Sequence, residues 1–301
     1  MRALDRIDSD PQAKWHQEHG PVLGYFIGNI SAFAVADAQM VRQIEIKDFI
    51  DFTDRPRWKR VRSKLTPSFT SNELKTVTSS NDGKIPVCMR NQYPYLATCY
   101  CMKRLIEVSS ILRYETTSSS LAFITKELLR FPDVQGRFRD ELIQLTTNGQ
   151  VFDFECLQRC QCMVAVIQET LRMNPPTCGE LTYQTYPNLS LGLSTSVHTL
   201  RHTEDYFREA HTFRPWRLFP ENRPSLVTNA WQPFGARPCN CIRTRFAHME
   251  IEVTLAKFLT RYRLIADPMD DRSNDVKHCP QRIKKPINCL VFRFLPALKL
   301  S

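Results

Sequence analysis

The stretch from Pro233 to Arg263, PFGARPCNCIRTRFAHMEIEVTLAKFLTRYR, constrains this chain more than any other. A turn-rich loop carrying Cys239 and Cys241 runs directly into an amphipathic segment. In that segment Phe246, Met249, Val253, Ala256 and Leu259 recur at steps of three and four, the period of one buried helix face. The fold must therefore bury a long helix while a cysteine-bearing loop stands at its entrance. Unpaired N–H groups and the dipole at a helix N-terminus favour thiolate over thiol, and thiolate is the form that binds metal.

The other cysteines do not redirect this reading. The count is 11, odd, and no signal peptide is read at the start, so a secreted disulfide framework is not the expectation. The pairs Cys99/Cys101 and Cys239/Cys241 and the triplet Cys156/Cys160/Cys162 lack the C-x-x-C spacing of zinc modules. His198 and His202 stand four apart but lie in a segment that reads as extended or loop, without the glutamate of a zinc-protease motif. The net charge of +10 suits an anionic surface, an anionic cofactor or dispersed solubility. It is scattered, with modest clusters at Arg55–Arg62 and Lys277–Lys285 and no nucleic-acid motif, so no nucleic-acid partner is expected. No apolar run reaches the ~18 residues a membrane span needs, and a chain standing alone in this form reads as cytoplasmic.

In chain order, Leu4 to Glu18 has a helical pattern that stops at Gly20-Pro21. Val22–Gly28 and Ser31–Asp37 read as a hairpin. Asp37 can N-cap a helix whose apolar face is Met40, Val41 and Ile44. A helix is expected over Arg57–Leu65, and a linker or loop over Thr76–Gln92. A long helix follows over Leu105–Arg130, with Leu121, Ile124, Leu128 and Phe131 on one face, and a shorter one runs from Pro132 to Leu145. The clearest helix carries Leu157, Cys160, Val164, Ile167 and Leu171 and stops at Asn174-Pro175-Pro176. On its flank, Glu169 and Arg172 by themselves read as an ordinary surface ion pair three residues apart. LSLGLSTSV suggests a strand, Arg201–Arg223 is an aromatic, proline-rich turn region without helical period, and INCLVFRFLPALKL reads as a terminal strand.

WKRVRSKLTPSFT, YETTSS, ETLRMNPP, FRPWRLFPEN and PFGARPCNCIRTRFA occur in this order, and the succession resembles the cytochrome P450 superfamily of haem-thiolate monooxygenases. The closest likeness is to the microsomal group that includes the 3A type and thromboxane synthase. It covers most of the chain, including the opening hairpin and KDFIDFTDR (Lys47–Arg55). The resemblance implies a mainly α fold with small β-sheets (α+β), a truncated form of the family's single domain over residues 1–301. Set against the family, the chain reads as one without the N-terminal membrane anchor and much of the region between helices C and I. The cofactor implied is haem, and Cys241 falls at its thiolate ligand in a loop that Phe234 opens. Trp58 and Arg62 match the W-x-x-x-R that donates to a haem propionate. Glu115 and Thr116 match the acid–alcohol pair that relays protons to iron-bound oxygen. Glu169, Arg172 and Arg217 match three groups that pair to lock the cysteine loop. The partners implied are an NADPH-dependent reductase as electron donor, a small apolar substrate, and peripheral contact with the endoplasmic reticulum membrane.

The sequence departs from the family's pattern at several points. Arginine stands for glycine at Arg237 and Arg243 in the loop and at Arg113 in the central helix, where Leu112 also replaces a small residue. Glycine serves where backbone approaches a partner closely or takes positive φ, and arginine adds bulk and charge there. Cys239 replaces an arginine that would pair with a propionate, and Trp216 replaces a glutamate. These departures support the alternative expectation: a catalytically inactive, truncated family member that binds haem weakly or not at all.

Overall fold

The structure, a computed structural model, describes residues 11–27, 30–48, 116–146, 154–175, 183–186, 189–222, 226–227, 229–236, 240–266 and 289–293. The helix expected over Arg57–Leu65, the loop over Thr76–Gln92 and the first half of the long helix lie outside these residues. The chain divides into two compact units. Among the described residues, the first holds those up to Asp48 and those from Ala165 to Ile242. The second holds 116–164, 243–266 and 289–293.

In the first unit, helix α1 (Pro11–His19) ends where expected, with Gly20 at φ +96°. Only a glycine takes that left-handed turn without a Cβ penalty. His16 fixes the helix to the rest of the unit. Its Nδ1 donates to the Gly20 carbonyl at 2.9 Å, and its Nε2 accepts from Ser196 Oγ at 2.8 Å. Strands β1 (Val22–Ile27) and β2 (Ile30–Val35) form the expected antiparallel hairpin, with Leu23 opposite Ala34. Strands β3 (Tyr183–Tyr186) and β4 (Leu189–Thr195) complete a sheet of order β1-β2-β4-β3. β4 lies parallel to β2, Ala34 opposite Ser194, although more than a hundred residues separate them in sequence. Ala32 and Ala34 fill the buried side of β2, where small residues let the layers close up.

Asp37 caps helix α2 (Ala38–Arg42) as expected: its Oδ1 accepts from the Met40 N–H at 2.7 Å. The face assignment needs one correction. Val41 is fully buried, but Met40 is 43% exposed. After Arg42 the backbone widens into a π-helical turn, Gln43–Lys47, which breaks the 3.6-residue period. That turn brings Glu45 inside, where it accepts from Thr195 Oγ1 at 3.0 Å. Val35, Ala38, Val41, Leu193, Leu200, Phe207, Ala210 and Ala230 form the core of this unit.

In the second unit, helix α3 (residues 116–130) is followed after Phe131 by helix α4 (Pro132–Thr146). Ile124 and Leu128 are fully buried, as the 3-4 spacing requires, and Phe138 and Leu142 continue the core on α4. The helix expected through Leu157 and Leu171 is two helices: α5 (Phe154–Leu157), then a turn, then α6 (Gln161–Met173), whose residues from Ala165 on belong to the first unit. Leu157 and Cys160 are both buried, so the apolar spacing is real, but the backbone restarts. The cause is Glu141 on α4. Its Oε1 accepts from the Gln161 N–H and its Oε2 from the Cys162 N–H, both at 2.8 Å. A carboxylate from another helix thus satisfies the first-turn donors of α6, and no local residue signals it.

Helix α7 (Val197–His202) corrects a third reading, since His198 and His202 sit on a helix and not in a loop. Helix α8 (Thr244–Leu259) buries Phe246, Met249, Val253, Ala256 and Leu259, all five expected positions. It leads into strand β5 (Tyr262–Ala266), which pairs antiparallel with β6 (Cys289–Arg293), the start of the expected terminal strand. Gln135 of α4 ties β5 to α3. Its Nε2 donates to the Leu128 and Leu264 carbonyls, and its Oε1 accepts from the Leu264 N–H at 2.9 Å. The architecture is mainly helical with small sheets.

Candidate functional site

Glu169 and Arg172 lie one turn apart near the end of α6, and both side chains are fully buried. The surface-pair reading therefore fails. Two charges this deep persist only when mutually paired and hydrogen-bonded. Arg172 Nε donates to Glu169 Oε2 and Nη2 to Oε1, each at 2.9 Å, a bidentate pairing. The Phe207 ring lies under the guanidinium, 5.1 Å from ring centroid to Cζ.

Arg217 joins from a one-turn 3-10 helix, Pro215–Leu218, where Pro215 presets the backbone. Its Nε donates to Glu169 Oε1 at 3.1 Å, and the Arg214 N–H donates to the same oxygen at 3.1 Å. Its Nη2 donates to the carbonyls of Glu209 and Thr212 at 3.0 and 3.1 Å. Glu209 takes φ +54°, left-handed backbone that a non-glycine residue rarely adopts. Trp216 packs edge-on against Phe219 at 5.6 Å, and Asn222 donates to the Trp216 carbonyl at 2.7 Å, so the aromatic-proline turn is closed on itself.

The cysteine loop begins at Trp231, whose Nε1 donates to the Gln168 carbonyl of α6 at 3.4 Å. The Gly235 N–H donates to the Gln232 carbonyl at 3.3 Å. Gly235 stands at φ +76°, a turn that needs glycine. The Cys241 N–H then donates to the Phe234 carbonyl at 2.8 Å, closing the loop. Phe234 is half-buried and Cys241 is exposed.

Cys160 and Cys162 contrast with it. Both are buried, and burial, reinforced by the Glu141 carboxylate, pushes the Cys162 thiol up to about 12 and that of Cys160 higher still. Thiols so disfavoured as anions make poor ligands and nucleophiles. His198 and His202 stack at 4.1 Å between centroids, with His202 Nδ1 donating to the His198 carbonyl at 2.9 Å. Burial first, and then the His198 ring, hold His202 down at about 3, so it is neutral. Among the described residues, no group of three or more His, Cys, Asp or Glu could hold a bare metal ion.

Thr116 is the first described residue of α3, in the second unit, and its carbonyl accepts from Ser120 Oγ at 2.8 Å. Glu115, Trp58, Arg62, Arg113, Leu112, Arg237 and Cys239 lie outside the described residues. Arg243 is described: it caps α8 at φ −103° and ψ 11°. An arginine there needs no left-handed backbone, so the substitution carries no φ penalty.

Arg201 was not legible as a site residue. It is buried on α7, its Nη1 donates to the Leu171 carbonyl at 3.2 Å and its Nη2 to the Gln232 carbonyl. Its own carbonyl accepts from Arg172 Nη1 at 2.6 Å. A six-residue helix is too short for periodicity to reveal, and nothing else in the local sequence marks it.

The described residues thus combine an exposed cysteine at the close of a supported loop, a buried carboxylate–arginine cluster in the same unit, and a helical framework with small sheets. The family model described as cytochrome P450 matches residues 114–288, and the chain belongs to that family. It is similar to cytochrome P450 3A19 of Capra hircus aegagrus, 29% identical over 61% of this chain and 87% of that protein. It is also similar to cytochrome P450 6a8 of Drosophila melanogaster, 30% identical over 51% of this chain and 33% of that protein. Against cytochrome P450 3A11 of Mus musculus it is 28% identical, over 61% of this chain and 38% of that protein. The match to the fly and mouse proteins thus spans only about a third of their length. Members of the family bind haem through a cysteine thiolate. Cys241 has the chemistry that group requires of a donor: a soft sulfur, exposed, on a loop closed by its own backbone bond. Among the described residues, no helix is long and apolar enough to cross a membrane.

Proposed function

We propose that the protein is a haem-thiolate monooxygenase, its 301 residues one domain of this family, inserting one oxygen atom of O2 into a small apolar substrate. An NADPH-dependent reductase at the endoplasmic reticulum membrane surface would donate the electrons. The observation that carries this reading is the fully buried Glu169–Arg172 pair, extended by Arg217, in the unit that presents Cys241. So costly an arrangement is retained where a loop must keep a ligand's geometry.

Haem, when bound, supplies the dioxygen activation and oxygen transfer. Cys241 would hold its iron, and Phe234 would flank it. Trp58 and Arg62, which match the family's W-x-x-x-R, would donate to a propionate. Glu115 and Thr116 would hold a water between carboxylate and hydroxyl and pass protons inward from it. Arginine at positions 113, 237 and 243 favours a second reading, a catalytically inactive, truncated family member that binds haem weakly or not at all.

One experiment separates the two. The purified chain is supplied with haem, reduced, exposed to carbon monoxide and scanned. A red-shifted, thiolate-type Soret band is expected. Absence of haem uptake would refute the monooxygenase reading and leave the second.

A further inference from the structure

We propose that Arg201 is a positioning residue that carries the hold of the Glu169–Arg172 pair onto the Cys241 loop. The side chain is 2% exposed, and arginine is rarely buried without partners that satisfy its donors. Its main-chain carbonyl is gripped by Arg172 Nη1. One arm of its guanidinium reaches the Leu171 carbonyl, among the last four of α6, which lack acceptor-side partners within the helix and carry the negative end of its dipole. The other arm reaches the Gln232 carbonyl. That oxygen also accepts the Gly235 N–H, and two residues on the Phe234 carbonyl accepts the Cys241 N–H. A continuous line of hydrogen bonds and short backbone steps therefore runs from Glu169 through Arg172 and Arg201 to Cys241. Arg217 does not serve this purpose: its carbonyl acceptors, at Arg208, Glu209 and Thr212, belong to the preceding turns. The planar guanidinium fork spans two carbonyls at once, whereas a lysine ammonium is a single point of charge.

The purpose assigned to this tether rests on the reading of Cys241 as haem ligand, but the test of the tether does not. Residue-resolved amide hydrogen exchange on the full chain without haem compares wild type with Arg201→Gln and Arg201→Lys. Gly235 and Cys241 amides should exchange about tenfold faster in Arg201→Gln, the factor for losing one charge-assisted hydrogen bond. Arg201→Lys should fall between, while Leu142 and Ala256 in the second unit keep their protection. Unchanged Gly235 and Cys241 overturn the inference. So does an equal acceleration of Leu142 and Ala256, which marks a merely global effect. If Arg201→Gln does not fold, Arg201→Lys alone decides by the same comparison. The carbon monoxide spectrum of wild type judges the haem reading separately, so either conclusion can fail without the other.

Discussion

Glu169→Gln changes one atom in size and shape hardly at all, yet it should be among the most damaging single substitutions in the chain. The carboxylate accepts four donors: Arg172 Nε and Nη2, Arg217 Nε and the Arg214 N–H. Three converge on Oε1 and one on Oε2. A glutamine oxygen can replace only one of these acceptors, and its amide nitrogen then meets a donor. Arg172, with no exposure at all, is left buried beside a neutral group. Removing one partner of such a pair costs about 3–5 kcal/mol. For a chain of this size that lowers Tm by roughly 6–20 °C. Thermal and urea unfolding followed by circular dichroism would measure it. Glu18→Gln is the control, because its partner Lys14 lies 4.0 Å away at the surface, and the same chemical change should cost no more than ~0.5 kcal/mol there. The double variant Glu169→Leu/Arg172→Met should be less destabilised than Glu169→Gln, since neither charge is stranded and Arg217 retains some access to water. A loss below about 1 kcal/mol in Glu169→Gln, or a double variant worse than the single, refutes the argument.

Three further outcomes are expected. Cys241→Ala abolishes haem binding in a reconstitution titration while Cys239→Ala leaves it largely intact; equal loss from both shows the ligand to be misassigned. In native protein treated with iodoacetamide near pH 8, peptide mass spectrometry finds Cys241 alkylated, and Cys160 and Cys162 alkylated only after unfolding, because burial and Glu141 hold those two thiols protonated. His202 is depressed to about 3 when folded, so the unfolded chain binds its proton first as pH falls. Its contribution is complete above the ordinary histidine value near 6.5 and is lost progressively below it. His202→Phe, which keeps a ring against His198, should therefore flatten the dependence of unfolding free energy on pH between about 6.5 and 4 by up to ~1.4 kcal/mol per unit. An unchanged slope counts against burial of a neutral His202.

Several elements were legible from sequence because their signals are local. The α8 face follows from five apolar residues at helical spacing, all of them buried. The opening hairpin follows from two β runs and a short turn, and Asp37 from its place just before α2. Other features were not legible, because the deciding group lies far away in sequence. Spacing carried Leu157 to Leu171 as one helix, but Glu141 starts a new one at Gln161. The period places Met40 inward, but Ala38 and Val41, three apart, form the buried face of α2 and leave Met40 outside it. The site divides in the same way. Cys241, Glu169, Arg172 and Arg217 were found through ordered motifs, whereas Arg201 has no motif.

By itself the sequence pointed to the family, and its ordered motifs singled out Cys241 and the residues proposed to accompany it, because residue type and order survive in a linear string. Only the tertiary structure decided that Glu169–Arg172 is a buried pair and not a surface one, that the clustered thiols at 160 and 162 are held protonated, and that Arg201 joins α6 to the cysteine loop. The physical reason is that burial, and with it the strength of charge and hydrogen bonding, depends on what packs around a group. Here those neighbours come from segments tens of residues apart.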